Sequence, residues 1–418
     1  MQSKKILLIT YHFPPSAASG AFRLLGFARH LPAHGWQPLV VAPPTLPWEP
    51  IDTRLLEDVP AEAIVEPAPY PIGAPRVVKV LAQNAVWLPR AWFACKRMIA
   101  AHRPDVILTS GPPHCVHALG HYLQRRTGLP WVADFRDPWI SDGANRRLGW
   151  GERWVLGWER RVFAGADLIL ANAPNACRLY QDTYPEQRHK IVALTNGFDP
   201  RPSSPASPAE SGPITLLHAG EIYAGRNPAP LFEALASLNG DALKFRLHLL
   251  GRCESNAIPA LLRERGWTEQ VILDGQRTYE ETLDAMSRAD INVLFDSPGR
   301  KIGVPAKLYE YLGAGRPILA LADDDGDTAN ILRASGVRHR IGPPTDSGRI
   351  RQALGELADA RGDASSGDPL LLKRFTRSHI AGTLAQRLDA LVGRSSVTSV
   401  RIGTSSAVAA PEMQEAAR

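Results

Sequence analysis

Cysteine is scarce in this 418-residue chain, which has four, and methionine equally so. Cys95, Cys115, Cys177 and Cys253 lie far apart with no CxxC pair. That spacing argues against a zinc site or a disulfide framework and fits a reducing compartment. No apolar run is long enough to span a bilayer. The opening MQSKKILLITYHF places lysines before an apolar run, but a secretory leader needs a longer apolar core and a small-residue cleavage site. Pro14-Pro15 ends the run early, so it reads as a first buried strand. GxxxxGK[ST] does not occur, which removes a Walker-type phosphate loop, and the lack of a GxGxxG fingerprint lowers a dehydrogenase reading.

What is present is soluble-globular composition, 44% hydrophobic and 22% charged residues, with a net charge of +6. The excess of base permits an anionic substrate, an anionic membrane surface or nucleic acid, and selects none of them. The length exceeds one ordinary core, so two domains are expected. Short apolar runs at 6–11, 38–42, 106–109, 131–135, 168–171 and 191–194 alternate with helical patterns. After a Pro/Ser-rich break at 198–213 the alternation restarts at 214–218, 245–250, 271–273, 291–295 and 318–320. Near-continuous apolar strands separated by helices predict parallel sheets covered on both faces. The fold class is therefore α/β, with two Rossmann-like doubly wound domains whose strand ends face a central cleft. The expected boundaries are 1–200, a linker at 201–213, 214–370, a last helix at 371–393, and a disordered tail at 394–418, where periodicity is lost.

The most informative stretch is GVPAKLYEYLGAGRPILAL at 303–321. Pro305 suits a first helical turn, and Gly315 with Pro317 stops the helix before a buried strand. Such a helix start offers unpaired N–H groups to an anion, and Glu310 just inside can hold a hydroxyl pair. Phosphate and ribose are such a combination.

With this stretch and five others in order, the chain resembles the GT-B-fold retaining glycosyltransferases of family four, the group that includes bacterial polysaccharide and lipopolysaccharide enzymes. The others are YHFPPSAASGAFRLLGFARHLPAHGW, TSGPPHCVHALG with PWVADFRDPW, TNGFD, HAGEIYAGRNPAPLFEAL, and VILDGQRTYEETLDAMSRADINVLFDS. The resemblance covers roughly residues 4–392. It implies a nucleoside-diphosphate sugar donor in the second domain, a saccharide or lipid-linked acceptor in the first, and transfer with retention. It also implies no metal or other cofactor, and a final helix crossing back to the first domain. No protein nucleophile is expected.

On this resemblance Glu310 bonds the donor ribose. The family's earlier Glu, eight positions before, is Ile302 here. Its usual Arg and Lys after the first strand of the second domain align with Glu221 and Asn227, with Arg226 adjacent as the diphosphate ligand. Pro305 and Lys301 or Lys307 complete the donor side. Gly20 lets donor phosphates approach the mouth of the first helix, or is a loop glycine beside a Ser19 cap. His114 is the candidate for a catalytic histidine against the donor sugar, with His117 and His12 as competitors. Arg136 and Asp137 end a strand at the cleft. Asp137 could orient or deprotonate an acceptor hydroxyl and Arg136 could meet acceptor phosphate, or the two close a loop as an ion pair.

Asp323, Asp324, Asp325 and Asp327 lack the rest of a calcium loop and open a helix, where acids are favoured. Trp150, Trp154 and Trp158, four apart among arginines, place three indoles on one helix face. That face suits an anionic membrane interface, with Trp87, Trp92 and Phe93 adding to it, or else a core. Nucleic acid is not expected, since no recognition motif occurs. The expectation is a cytoplasmic enzyme, peripheral at the inner membrane face. Its rivals are a nucleotide-sugar epimerase of the same fold and a non-catalytic binding protein.

Overall fold

Two parallel sheets carry the molecule, each with the Rossmann strand order. The computed structural model describes all residues except 1–2, 47, 72–82, 140–149, 202–211, 223–225, 241–243, 252–256, 360–366 and 405–418. In the N-terminal lobe the strands are β1 (Lys4–Thr10), β2 (Trp36–Ala42), β3 (Ile64–Pro67), β4 (Val106–Gly111), β5 (Trp131–Phe135), β6 (Leu168–Ala171) and β7 (Ile191–Ala193). Their order is β3-β2-β1-β4-β5-β6-β7. The C-terminal lobe has β8 (Ile214–Ala219), β9 (Phe245–Leu250), β10 (Val271–Gly275), β11 (Ile291–Phe295), β12 (Ile318–Leu321) and β13 (His339–Gly342), ordered β10-β9-β8-β11-β12-β13. Register runs Ile6↔Val106 between β1 and β4 and Ile291↔Leu216 between β11 and β8. In both sheets the order reverses beside the first strand, so the crevice at its carboxyl end is the natural ligand site.

The helices are α1 (Ser19–His30), α2 (Leu88–His102), α3 (Val116–Thr127), α4 (Trp150–Gly165), α5 (Pro174–Thr183), α6 (Ala229–Asn239), α7 (Ala257–Glu264), α8 (Tyr279–Arg288), α9 (Lys307–Ala314), α10 (Asp327–Ser335), α11 (Ser347–Ala358), α12 (Pro369–Lys373) and α13 (Arg377–Thr404). The central strands are fully buried along most of their length, as their apolar sequences require. Two strands escape the sequence pattern: β3 and β13 are sheet edges whose residues, apart from buried Gly342, are half-buried or exposed.

The last helix crosses back. Ile380, Ala381, Leu384 and Leu388 of α13 share one core with Leu24, Phe27 and Ala28 of α1 and with Trp36 of β2. It starts later than residue 371, after the separate short helix α12, and runs past 393 into the stretch expected to be disordered; residues 405–418 lie outside the described ones. Most of the expected linker, 202–211, also lies outside them. Where the lobes meet, the ring of Phe22 on α1 lies 4.6 Å from that of Tyr279 on α8. On the same boundary the Asn175 amide donates to Asp327 Oδ1 at 2.8 Å, and its side-chain amide donates to the Lys301 carbonyl at 2.8 Å.

Candidate active site between the lobes

A cleft of about 740 Å³ separates the two sheets' carboxyl ends. On its C-terminal wall, β8 runs into Gly220 at φ +138°, and a Cβ there would overlap the ammonium group of Lys307. Lys307 is the first residue of α9, and buried Arg226 lines the same wall. Burial, with Arg226 nearby, pulls the Lys307 pKa down to about 8, against an upward pull from Glu221. At neutral pH the lysine is still charged. Buried His218 adds no charge: burial, then Lys307, holds its pKa at about 3, while Nδ1 lies 2.9 Å from the Val293 carbonyl. Two cations of the same sign are thus held beside a bare backbone, an arrangement suited to a diphosphate.

Glu310 stands three residues along α9 from Lys307, so the two side chains share a helix face some 5–6 Å apart at Cβ. Its Oε1 accepts from the Tyr279 hydroxyl at 2.9 Å and from Arg377 Nη2 at 2.6 Å. Arg377 also donates to Asp199 Oδ2 at 3.0 Å, and Asp199 takes His30 Nε2 at 2.7 Å. Burial alone would lower the Arg377 pKa, but Glu310, Tyr279 and Asp199 together raise it. The carboxylate of Glu310 is therefore held in position by the first residue of the crossing helix. Among the described residues both bonds fall on Oε1, which leaves Oε2 to accept from a ligand. Pro305 lines the cleft just ahead of Ala306, the residue that caps α9.

The N-terminal wall is built on two arginines. Arg23 of α1 is buried and spends its donors on Asp134, at 2.7 Å from Nη2, and on the carbonyls of Leu194 and Thr195. Arg136, after β5, is 6% exposed and donates to the carbonyls of Gly111 and Pro112. Its Nη1 fills the space a Cβ on Gly20 would need. Asp137 lies at the mouth of the cleft; partial desolvation there raises its pKa while Arg300 and Arg136 pull it down. Arg136 and Asp137 form no ion pair with each other, so the loop-closing alternative does not describe them. His12 lines the cleft, and its Nδ1 lies 2.7 Å from Glu49 Oε1, off the line of a well-formed hydrogen bond.

The structure thus brings Gly20, Arg136, Asp137, Arg226, Pro305, Lys307 and Glu310 to one cleft. His114 is not on its lining. The ring stacks among His117, Phe135 and Trp139 at 5.2–5.8 Å, and burial, then Arg136, lowers its pKa to about 3, so it is neutral. Lys301 points away, pairing with Asp325 at 2.6 Å. Ile302, at the family's earlier Glu position, packs against the core. Asp324 and Asp325 pair with Arg333, Arg349 and Lys301, and among the described residues no three His, Cys, Asp or Glu side chains gather as a metal site. Trp154 is 60% exposed and its ring lies 6.3 Å from that of half-buried Trp158, whereas the Trp150 side chain lies outside the described residues. Trp87 is wholly buried and its N–H donates to the Ala68 carbonyl, so it belongs to the core and not to that surface. Sequence reasoning missed Arg23, Arg377, Tyr279, Glu49 and Arg300. Their partners lie far off in the chain, and no local spacing announces them.

Two facing Rossmann-like lobes, with a cationic pocket over a βα glycine in the cleft between them, define the class of fold: the GT-B architecture. Residues 20–201 match the family model described as Glycosyltransferase Family 4. No curated protein matches the sequence. Among solved structures, a sucrose-phosphate synthase from Thermosynechococcus elongatus is 18% identical over 94% of this chain and 100% of its own, with a TM-score of 0.67. Anabaena HepE, solved in complex with UDP and glucose, is 17% identical over 93% and 100%, TM-score 0.63. WaaG, a glycosyltransferase involved in lipopolysaccharide biosynthesis, is 16% identical over 93% and 98%, TM-score 0.58.

Proposed function

We propose that the protein transfers a sugar from a nucleoside-diphosphate donor, held on the C-terminal lobe, to a saccharide or lipid-linked acceptor presented by the N-terminal lobe. The carrying observation is one turn of helix: Lys307 seated over Gly220 beside Arg226, with Glu310 on the same face. That turn matches a diphosphate followed by a ribose. Lys307, Arg226 and the α9 amides oppose the charge that develops on the leaving diphosphate, so a metal is not needed. Glu310 Oε2 accepts from ribose hydroxyls while Arg377 and Tyr279 fix its partner oxygen. Transfer with retention follows from the resemblance alone; a nucleotide-sugar donor is in line with HepE being solved with UDP and glucose, and a role in cell-surface glycan synthesis with WaaG. The test is a panel of nucleotide sugars, scored by thermal shift and then by glycoside formation. Release or transfer of sugar that disappears in Glu310→Ala supports the reading; conversion to an epimer without an acceptor refutes it.

The same reading places a contact with anionic membrane on the α2–α3–α4 face. Tyr122 and Trp154, 53% and 60% exposed, both lie against Trp158, and Phe93 of α2 is 60% exposed, while Arg125, Arg126 and Arg161 of the same helices are exposed. Arg161 lies over the Trp158 ring at 5.3 Å. Exposed aromatics among arginines suit a headgroup layer. Among the described residues no helix is long and apolar enough to cross a membrane. Sedimentation with anionic liposomes tests the contact: wild type should pellet and Trp154→Glu should stay in solution, and wild type remaining in solution ends the idea.

A further inference from the structure

Helix α9 carries Lys307 and Glu310, and residues of the other lobe locate it from both of its ends. Ahead of it runs a loop whose Val304, Pro305 and Ala306 line the cleft. Behind that loop stands Asp327, the first residue of α10 and wholly buried. Its Oδ2 accepts from the Gly303 amide at 2.9 Å, and its Oδ1 accepts from the Asn175 amide of α5 at 2.8 Å. The Lys301 carbonyl accepts from the Asp327 amide at 3.1 Å and from the Asn175 side chain at 2.8 Å. One carboxylate thus ties the donor loop to the N-terminal lobe.

Local chemistry makes that tie a firm one. Helix α5 begins with Ala173 as a cap that has no side-chain acceptor, then Pro174, and its first turn has no acid. Asp327 therefore serves as the acceptor for this helix start from across the lobe boundary. Burial raises the Asp327 pKa, while the Gly303 and Asn175 N–H groups, and then Arg178 and Arg300, pull it down. Arg178 belongs to α5 and Arg300 to the loop that leads to α9, so both lobes face the carboxylate with positive charge. A buried carboxylate that loses such partners is costly.

A second contact fixes the far end of α9. A Cβ on Gly313 would lie 2.6 Å from Phe198 Cδ2, so the ring packs directly on the helix backbone. Phe198 follows β7, is 5% exposed, and its amide donates to the Phe375 carbonyl at 3.0 Å. A rigid ring against a bare backbone sets one distance between the two. Asn175 with Asp327 at one end and Phe198 with Gly313 at the other bracket the turn that holds Lys307 and Glu310.

We propose that Asp327 and Phe198 are positioning residues for the transfer: they clamp α9 against the N-terminal lobe, so that the donor seat faces the acceptor wall at one spacing. The proposal rests on the reading above, in that it takes α9 to hold the donor.

The experiment compares the full wild-type chain with Asn175→Asp and with Gly313→Ala. Both variants keep Lys307, Glu310, Arg226 and the bond between Gly303 and Asp327. An acid at the start of α5 suits that helix by itself, so its cost falls on the contact with Asp327 and the Lys301 carbonyl. Alanine suits a helix interior better than glycine does, so its cost falls on Phe198. Small-angle X-ray scattering of the ligand-free chain reads the spacing: each variant should show a larger radius of gyration than wild type, and a wild-type curve from either overturns the clamp. Calorimetric titration of nucleoside diphosphates comes next; none binding to wild type would sink the donor reading, while the scattering still decides the clamp. Affinity for the best of them should change by less than about threefold in either variant, because the donor seat moves as a unit. Sugar release from the matching nucleotide sugar, to water or to an added saccharide, should lose about tenfold or more in kcat, the scale of a small misplacement at a reacting centre. A nucleotide-affinity loss as large as the kcat loss would make these contacts part of the donor seat alone, and a lowered melting temperature with unchanged kcat would make them structural; either result overturns the positioning role.

Discussion

Gly220→Ala is the sharpest perturbation of the donor site. The glycine sits at φ +138°, and an added methyl would overlap the end of the Lys307 side chain. Two effects follow, and they separate. Forcing an L-residue into that backbone region costs about 1–3 kcal/mol of stability. Swinging Lys307 off the glycine costs no core packing, because its terminus is flexible, but it withdraws an ammonium from the diphosphate. One charge-assisted hydrogen bond contributes about 1.5–3 kcal/mol, or roughly 10–100-fold in Kd. Calorimetric titration of nucleoside diphosphates, with circular dichroism to confirm folding, reads both. A double-mutant cycle makes the attribution specific: once Lys307→Met has removed the ammonium, adding Gly220→Ala should cost little further affinity. A folded Gly220→Ala protein that binds as wild type does, or losses that add fully in the double mutant, would refute the seating of Lys307 over Gly220 as the phosphate ligand.

Glu310→Gln keeps the side chain's size but loses its ion pair with Arg377 and an acceptor for the ribose; nucleoside-diphosphate affinity should fall about tenfold or more, with free phosphate unaffected, and equal losses for both would remove Glu310 from the ribose. The pH dependence has a definite sign. The Lys307 pKa is about 8 folded against 10.5 as reference, so the folded chain holds fewer protons between these values and this group's contribution to stability rises with pH there. Nucleotide affinity does the opposite, weakening above pH 8 by at most tenfold per unit, and Lys307→Met should flatten that profile; a profile unchanged by the mutation contradicts it. Arg23→Met removes the ion-pair partner of buried Asp134, leaving it the Ser110 hydroxyl, and should cost about 3–5 kcal/mol in chemical denaturation; a cost below about 1 kcal/mol would contradict the pair's structural role.

Apolar runs placed the central strands to within a residue or two because both sheet faces are covered, which leaves little freedom in their composition. The edge strands β3 and β13 were invisible for the converse reason: half their surface meets water. The α9 unit was legible from its Ala306 cap to the left-handed Gly315 end, although Pro305, expected in the first turn, lies before the cap. Glu310 could be picked out because a local motif carries it, whereas Lys307 was legible only as one of two candidates with Lys301. Arg377 could not, since its value lies in reaching Glu310 from the crossing helix, 67 residues later. Trp87 and Trp154 show the limit of composition: both looked fit for a membrane surface, yet one fills a core and the other lies open.

The central claim is that one turn of α9 and the glycine of β8 hold a nucleoside diphosphate in the interlobe cleft. A crystal structure with the best-binding nucleoside diphosphate tests it directly. The account predicts phosphate oxygens within hydrogen-bond distance of Lys307 Nζ and Arg226, and ribose hydroxyls on Glu310. Phosphates bound away from Lys307, or a ribose that leaves Glu310 untouched, would contradict it.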